Sequence, residues 1–198
     1  MRWEELRLKL WTMQPVEVYD ILLRDGIFRC DPSKIPEPSF ANSYGWLMDQ
    51  LDKKCKKPDN VQLPIWAWFR FNKMEKKPDL RHNCYGMRGE KMVCLELDVP
   101  DEEVLLSDFD LWHHPLNNWW LDDCFRPDYN EDDYDKAHKW FDSLTKEEQK
   151  KEKEKSWHQI FNIEPFESDW ILRGHYVQAI FWELKQEYVK KVQYFTAR

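Results

Sequence analysis

The stretch "LPIWAWFRF", Leu63 to Phe71, is apolar on both sides of an extended chain apart from Arg70. Successive side chains of a strand point to opposite faces, so a segment without a polar side is expected at the centre of a sheet. The rest of the chain is read around that strand. Leu6, Leu8 and Leu10 alternate with Arg7, Lys9 and Trp11, the period of two of a half-buried strand. Pro15 cannot donate to a ladder but suits a first helical turn. Val16, Tyr19 and Leu22 then recur at helical spacing, and Gly26 is placed to close that helix in the left-handed region before Ile27–Cys30 resumes as extended chain. "DPSKIPEPS" is a proline-rich connection ending at Ser39, a candidate N-cap. Phe40, Tyr44, Leu47 and Leu51 follow on one helical face, and the lysine-rich stretch Lys53 to Lys57 with Pro58 ends it. "KMVCLELDVP" and "EVLLSDFD" read as two further strands around the acidic turn "PDEE". The order β-α-β-α-β-β-β lacks the regular alternation of a doubly wound fold. The expectation is an α+β fold, a twisted mixed or antiparallel sheet with flanking helices.

After Asp110 the composition changes. "LWHHPLNNWWLDDCFRPDYNEDDYD" is aromatic and acidic and reads as an irregular excursion held by its tryptophans. Thr145 with Glu148 makes a capping-box pattern ahead of the charged helix "KKEKEKSWHQIF". Tyr176–Leu184 and Val189–Phe195 read as two strands joined by a short turn, with a continuous C-terminal helix as the competing reading because Gln, Glu and Lys are good helix formers. One domain over residues 1–198 is expected, with the excursion and charged helix at about 110–160.

Composition narrows the function classes. The formal charge of −7 makes nucleic acid an improbable partner, because phosphate contacts need a cationic surface. Five glycines, none in G-x-G-x-x-G or a P-loop, argue against a Walker ATPase and a standard Rossmann dehydrogenase. No apolar run reaches the roughly 20 residues of a membrane span, and Met1–Glu5 lacks the apolar stretch of a signal peptide. Five cysteines at irregular spacing read as reduced thiols, so the expected compartment is the cytoplasm.

Several constellations invite chemistry. His82 with Cys84, or His113 and His114 with Cys124, offer soft ligands, but there is no C-x-x-C or H-E-x-x-H, and no metal is expected. Acidic runs such as "EDDYD" read as solvated surface. Trp66 and Trp68 project to one side of their strand, as a sugar platform needs, with Trp119 and Trp120 as an edge; core packing is the commoner use of such rings.

The opening "LWTMQPVEVYDILLRDG" and the late stretch "VQAIFWELKQEYVKKVQYF" together resemble the first strand–helix and the final strands of ADP-ribosyltransferase-like folds. The resemblance implies a split central sheet holding NAD or an ADP-ribose-like nucleotide. It places Thr12 and Gln14 at the first motif, where they would bind the nicotinamide amide, with Thr12 standing where the usual His or Arg is missing. Gln178 and, less directly, Glu183 take the catalytic position. Trp66, Trp68 or Tyr85 would stack on the ring, and Arg70 or Arg81 would neutralise pyrophosphate. Through "WTMQ", "PIWAWFR", "KPDLR", "VLLSDFDLWH" and "VQAIFWEL" the chain is also similar, over nearly its whole length, to an uncharacterised bacterial and phage family with no assigned biochemistry.

The functional expectation is NAD or ADP-ribose-like binding, with ADP-ribosyl transfer to an acceptor if the site turns over. The alternative is a non-catalytic protein that contacts a partner through the aromatic, acidic region 108–135. A nuclease built on His113 or His114 ranks third, penalised by the net charge.

Overall fold

The computed structural model describes residues 6–31, 40–82 and 85–198. The proline-rich connection with Ser39, and Cys84, lie outside the described residues. Ten strands and five helices are present among those described: β1 (Arg7–Pro15), α1 (Val16–Asp25), β2 (Ile27–Phe28), α2 (Ala41–Lys54), β3 (Ile65–Arg70), β4 (Lys91–Pro100), β5 (Leu105–Asp108), α3 (Phe109–Leu116), α4 (Glu131–Ser143), α5 (Lys146–Ser156), β6 (Phe166–Glu167), β7 (Leu172–Arg173), β8 (Val177–Phe181), β9 (Leu184–Lys185) and β10 (Val189–Thr196). Six strands form one sheet in the order β10-β4-β1-β3-β8-β5, every neighbouring pair antiparallel. The fold is α+β.

The strand that reads as apolar on both sides is indeed interior, between β1 and β8, and its two sides serve two cores. Ile65, Ala67 and Phe69 join Leu10, Val93, Leu95, Leu97, Val177, Ala179 and Phe181 on one face, which α1 covers through Leu22. Trp66 lies on the other with Ile180, under Leu47 and Leu51 of α2, Leu111 and Trp112 of α3, and Ile160. Burying both sides of one strand needs two helical layers, and the chain supplies them from α1 on one side and α2 with α3 on the other.

Local signals account for most boundaries. Pro15 precedes α1, and Gly26 closes it at φ +76° with its N–H bonded to the Leu22 carbonyl at 2.9 Å. The capping box forms in full: Thr145 N–H donates to Glu148 Oε2 at 2.8 Å, and Glu148 N–H to Thr145 Oγ1 at 3.3 Å. The C-terminal stretch is extended as β8, β9 and β10, so the continuous helix does not form. Val177–Phe181 is buried at all five positions, which a helix presenting one polar face would not allow.

Two expectations are corrected. The excursion after Asp110 is not wholly irregular, because it contains α3 and the start of α4. Asp108 caps α3 and Asn130 caps α4, each accepting a backbone N–H three residues ahead. Adjacent histidines before Pro115 read as a turn; Pro115 instead sits in the last turn of α3, with Leu111, Trp112 and Pro115 on its buried side. The second correction concerns the sheet. Its six strands are linked without interruption, so the split implied by the transferase resemblance is reduced to one loosely paired seam, described next.

Candidate functional site: an aromatic cleft at a seam in the sheet

β1 and β4 pair over nine consecutive positions, from Arg7↔Pro100 to Pro15↔Met92. On its other side β1 pairs in register with β3 at a single position, Trp11↔Trp68. Beyond it the hydroxyl of Thr12 donates to the Trp66 carbonyl at 2.8 Å, so a side chain supplies the cross-strand donor that a backbone N–H would otherwise provide. Gln14 Nε2 in turn donates to Thr12 Oγ1 at 2.7 Å. Thr12 is 1 % exposed, and this two-bond chain satisfies it in a place where an unpaired hydroxyl would be costly.

A cleft of about 600 Å³ opens along that seam, within the roughly 300–1,000 Å³ of small-molecule sites. β1 contributes Trp11, Thr12 and Met13, and β3 contributes Trp66, Ala67 and Trp68. Thr12 and Ala67 are opposite Leu95 and Ala179, both members of the far-face core, yet both reach the cleft. Phe109, Trp112 and His113 of α3 form a wall, Tyr44 of α2 a corner, and Tyr85, Gly86 and Glu90 the loop side. The rings pack on one another: Trp66 meets Tyr44 and Trp112, each at 5.9 Å between centroids, and Trp68 meets Phe109 at 5.1 Å.

Besides Thr12, a second buried polar side chain faces this largely apolar lining. Gln178, on β8, is 5 % exposed and lines the cleft, and its Nε2 donates to Ser107 Oγ at 3.3 Å. A side-chain amide has two donor hydrogens and two acceptor lone pairs, so three hydrogen-bonding positions remain beyond that contact. Glu90 is the carboxylate among the described lining residues, and its Oε2 accepts the Met87 N–H at 2.8 Å.

Of the residues singled out from the sequence, Thr12, Trp66, Trp68, Tyr85 and Gln178 line this cleft. Gln14 touches it through Thr12. The rest are elsewhere. The Arg70 guanidinium donates to the carbonyls of Ile163 and Gly174, both at 2.9 Å. Arg81 pairs with Asp79 two residues away, and that contact holds the Asp79 carboxyl far below its usual range. Glu183 pairs with Arg29 at 2.7 Å. No lysine or arginine lines the cleft among the described residues. His113 lines the cleft while His114 and Cys124 line a separate cavity, and no group of three or more His, Cys, Asp or Glu able to hold a metal ion occurs among the described residues. Trp119 is 58 % exposed, whereas Trp120 stacks on Phe141 at 4.6 Å and so belongs to the packing of α4. No helix among the described residues is long and apolar enough to cross a membrane.

Sequence reasoning missed α3 as a wall of the site. The signal was present: Asp108 as a cap, then Phe109, Trp112 and Leu116 at helical spacing.

Fold and cleft together define an α+β protein whose antiparallel sheet carries helices on both faces and a ring-lined hollow at its weakest strand pair. The chain belongs to the family described as domain of unknown function DUF3841, whose model matches residues 9–190. No curated protein and no solved structure matches it.

Proposed function

We propose that the cleft binds a flat nitrogen heterocycle bearing an amide, and that its ligand is an NAD-type nucleotide entering nicotinamide first. The observation that carries this reading is Gln178: an amide buried among aromatic rings with most of its hydrogen-bonding positions open. Such a group favours a ligand that returns donor and acceptor together, as a carboxamide does, while Trp68 and Phe109 offer ring faces. The ADP-ribosyltransferase resemblance of the two terminal stretches points the same way, since Thr12 and Gln178 meet the same hollow. Arg70 and Arg81 are committed to other partners, so the phosphates stay at the cleft mouth and contribute little. Binding without turnover is the form of the proposal the residues support: Gln178 is neutral, and Glu183 is held by Arg29 away from the cleft.

Titration calorimetry with nicotinamide, NAD and ADP-ribose tests it. Nicotinamide and NAD are expected to bind with similar affinity, and ADP-ribose, which lacks the carboxamide ring, to bind more weakly. Gln178→Leu keeps the volume and removes the amide; it should weaken nicotinamide about tenfold, the equivalent of one lost buried hydrogen bond. Absence of heat with both nicotinamide and NAD, or unchanged affinity in Gln178→Leu, rejects the reading.

A further inference from the structure

A second cavity, of about 550 Å³, lies on the other side of α3. Its lining differs in kind from that of the cleft. Tyr134, Trp170 and Tyr176 supply rings, and Asp110 and Asp122 supply carboxylates. Trp170 and Tyr134 lie nearly parallel, 22° between planes and 6.0 Å between centroids, Tyr129 meets Trp170 at 83°, and Tyr134 is also packed against His138 at 4.0 Å, so Trp170 and Tyr176 are the rings left to a ligand. Tyr134 and Trp170 are 41 % and 45 % exposed, so these rings are reached from solvent.

The charges in and around the cavity are unequally committed. Asp122 accepts the hydroxyl of Tyr129 in a short contact. Arg126 lies over the Tyr129 ring, 5.4 Å from its centroid, and is bonded to Asp133; it does not line the cavity. Asp110 forms no ion pair among the described residues. His113 and His175 are near enough to favour its charged form, but burial outweighs them and raises its carboxyl above the usual value. No lysine or arginine lines the cavity among the described residues, and His114, whose Nδ1 is buried without a hydrogen-bond partner, is pushed by burial towards its neutral form. The hollow therefore offers ring faces and an unpaired carboxylate, with no fixed cation in its lining to compete.

We infer that this cavity is a binding site for an alkylated ammonium group, held against Trp170 and Tyr176 with Asp110 as its counter-ion. Ring faces carry negative potential and attract a weakly hydrated cation, most strongly when water is excluded. Asp110 is itself solvent-exposed, so it acts as a partly screened counter-ion. The same chemistry is presented by a small quaternary amine and by a trimethylated lysine side chain. Neither depends on the cleft at the sheet seam.

The test is titration calorimetry of the full chain with tetramethylammonium chloride, with neopentyl alcohol as the neutral analogue of similar shape. Saturable binding of the cation and none of the alcohol is expected. Trp170→Ala and Asp110→Asn should each weaken the cation about tenfold or more, while Trp170→Phe, which keeps a ring, should retain most of the affinity. Circular dichroism of each variant separates a lost site from a lost fold. A peptide with trimethyl-lysine that binds more tightly than tetramethylammonium identifies a protein side chain as the source, and equal affinity identifies a free small cation; either supports the site. No saturable binding, equal binding of the alcohol, or unchanged affinity in folded Trp170→Ala and Asp110→Asn overturns it.

Discussion

Asp108 holds the cleft wall in place, and its replacement should show how much that contributes. It is the last residue of β5, fully buried, and the cap of α3. One carboxylate oxygen accepts the Leu111 N–H at 2.8 Å, and the other accepts the Gly174 N–H at 2.6 Å. Asp108→Ala strands both donors in a dry environment. Each costs about 1–3 kcal/mol when left unpaired, and relief of the carboxylate's own burial offsets part of that, so a net loss of about 2–4 kcal/mol is expected. Asp108→Asn keeps one acceptor and turns an NH₂ towards the second donor, so it should cost about half as much. Urea unfolding followed by circular dichroism reads this directly: with m of about 2–3 kcal/mol/M, the midpoint of the Ala variant falls by about 1 M at unchanged m. Acid titration adds a sign. Burial raises the Asp108 carboxyl above its ordinary 3.8 despite the two N–H bonds. The folded state thus keeps this proton to higher pH than the unfolded state, and the stability so gained is lost as pH rises from 3.8 through the raised value. The amide of the Asp108→Asn variant carries no such proton, so the stability gap between wild type and this variant should widen as pH falls through that window. An Ala variant within about 0.5 kcal/mol of wild type, the scatter of ordinary surface changes, would refute the capping argument. A gap that narrows on acidification would refute the burial argument.

Two further outcomes follow from local geometry. Gly26 and Gly174 share a left-handed backbone, φ +76° and +74°, but a Cβ at Gly26 meets nothing within 4 Å while one at Gly174 falls 2.6 Å from the Ile163 carbonyl oxygen and 2.9 Å from Pro165 Cα. Gly26→Ala should therefore cost about 1 kcal/mol of backbone strain, and Gly174→Ala at least about 1–3 kcal/mol more through overpacking; equal thermal midpoints for the two variants would contradict this. Burial pushes the thiols of Cys94 and Cys124 up, to about 11 and about 12. Both should resist iodoacetamide near neutral pH until the protein is unfolded, and mass spectrometry finding either one alkylated in the native state would disprove it.

The parts of the fold that were legible in the sequence are those set by nearest neighbours. Alternation marked β1, apolarity on both sides marked β3 as interior, and Gly26 and the Thr145–Glu148 pair marked helix ends. α4 was hidden because its burial is slight: Phe141 is its one buried residue, and the run Glu131–Asp135 has the composition of solvated loop. Its cap, Asn130, and the acidic first turn that favours a helix N-terminus were present but carried by polar residues alone. α3 was hidden for a different reason. Two histidines before a proline suggest a turn, whereas Pro115 falls in the last turn of α3, where it costs one helical hydrogen bond and its ring adds to the buried side.

The candidate site was legible in its ingredients and not in its assembly. Side-chain type and strand parity put Trp66 and Trp68 on one side, and Gln178 opposite Trp68 follows once β3 and β8 are known to pair. What no local pattern encodes is that β1 holds β4 over nine positions and β3 at one. The cleft opens along the side of β1 that meets β3 at one register position. The two arginines show the converse. Charge alone nominated them for phosphate, yet Arg70 closes the ends of Ile163 and Gly174 and Arg81 answers Asp79, so each neutralises or ties down its own chain. No lysine or arginine lines the cleft among the described residues, so a polyanion gripped mainly through its phosphates finds no matching charge there.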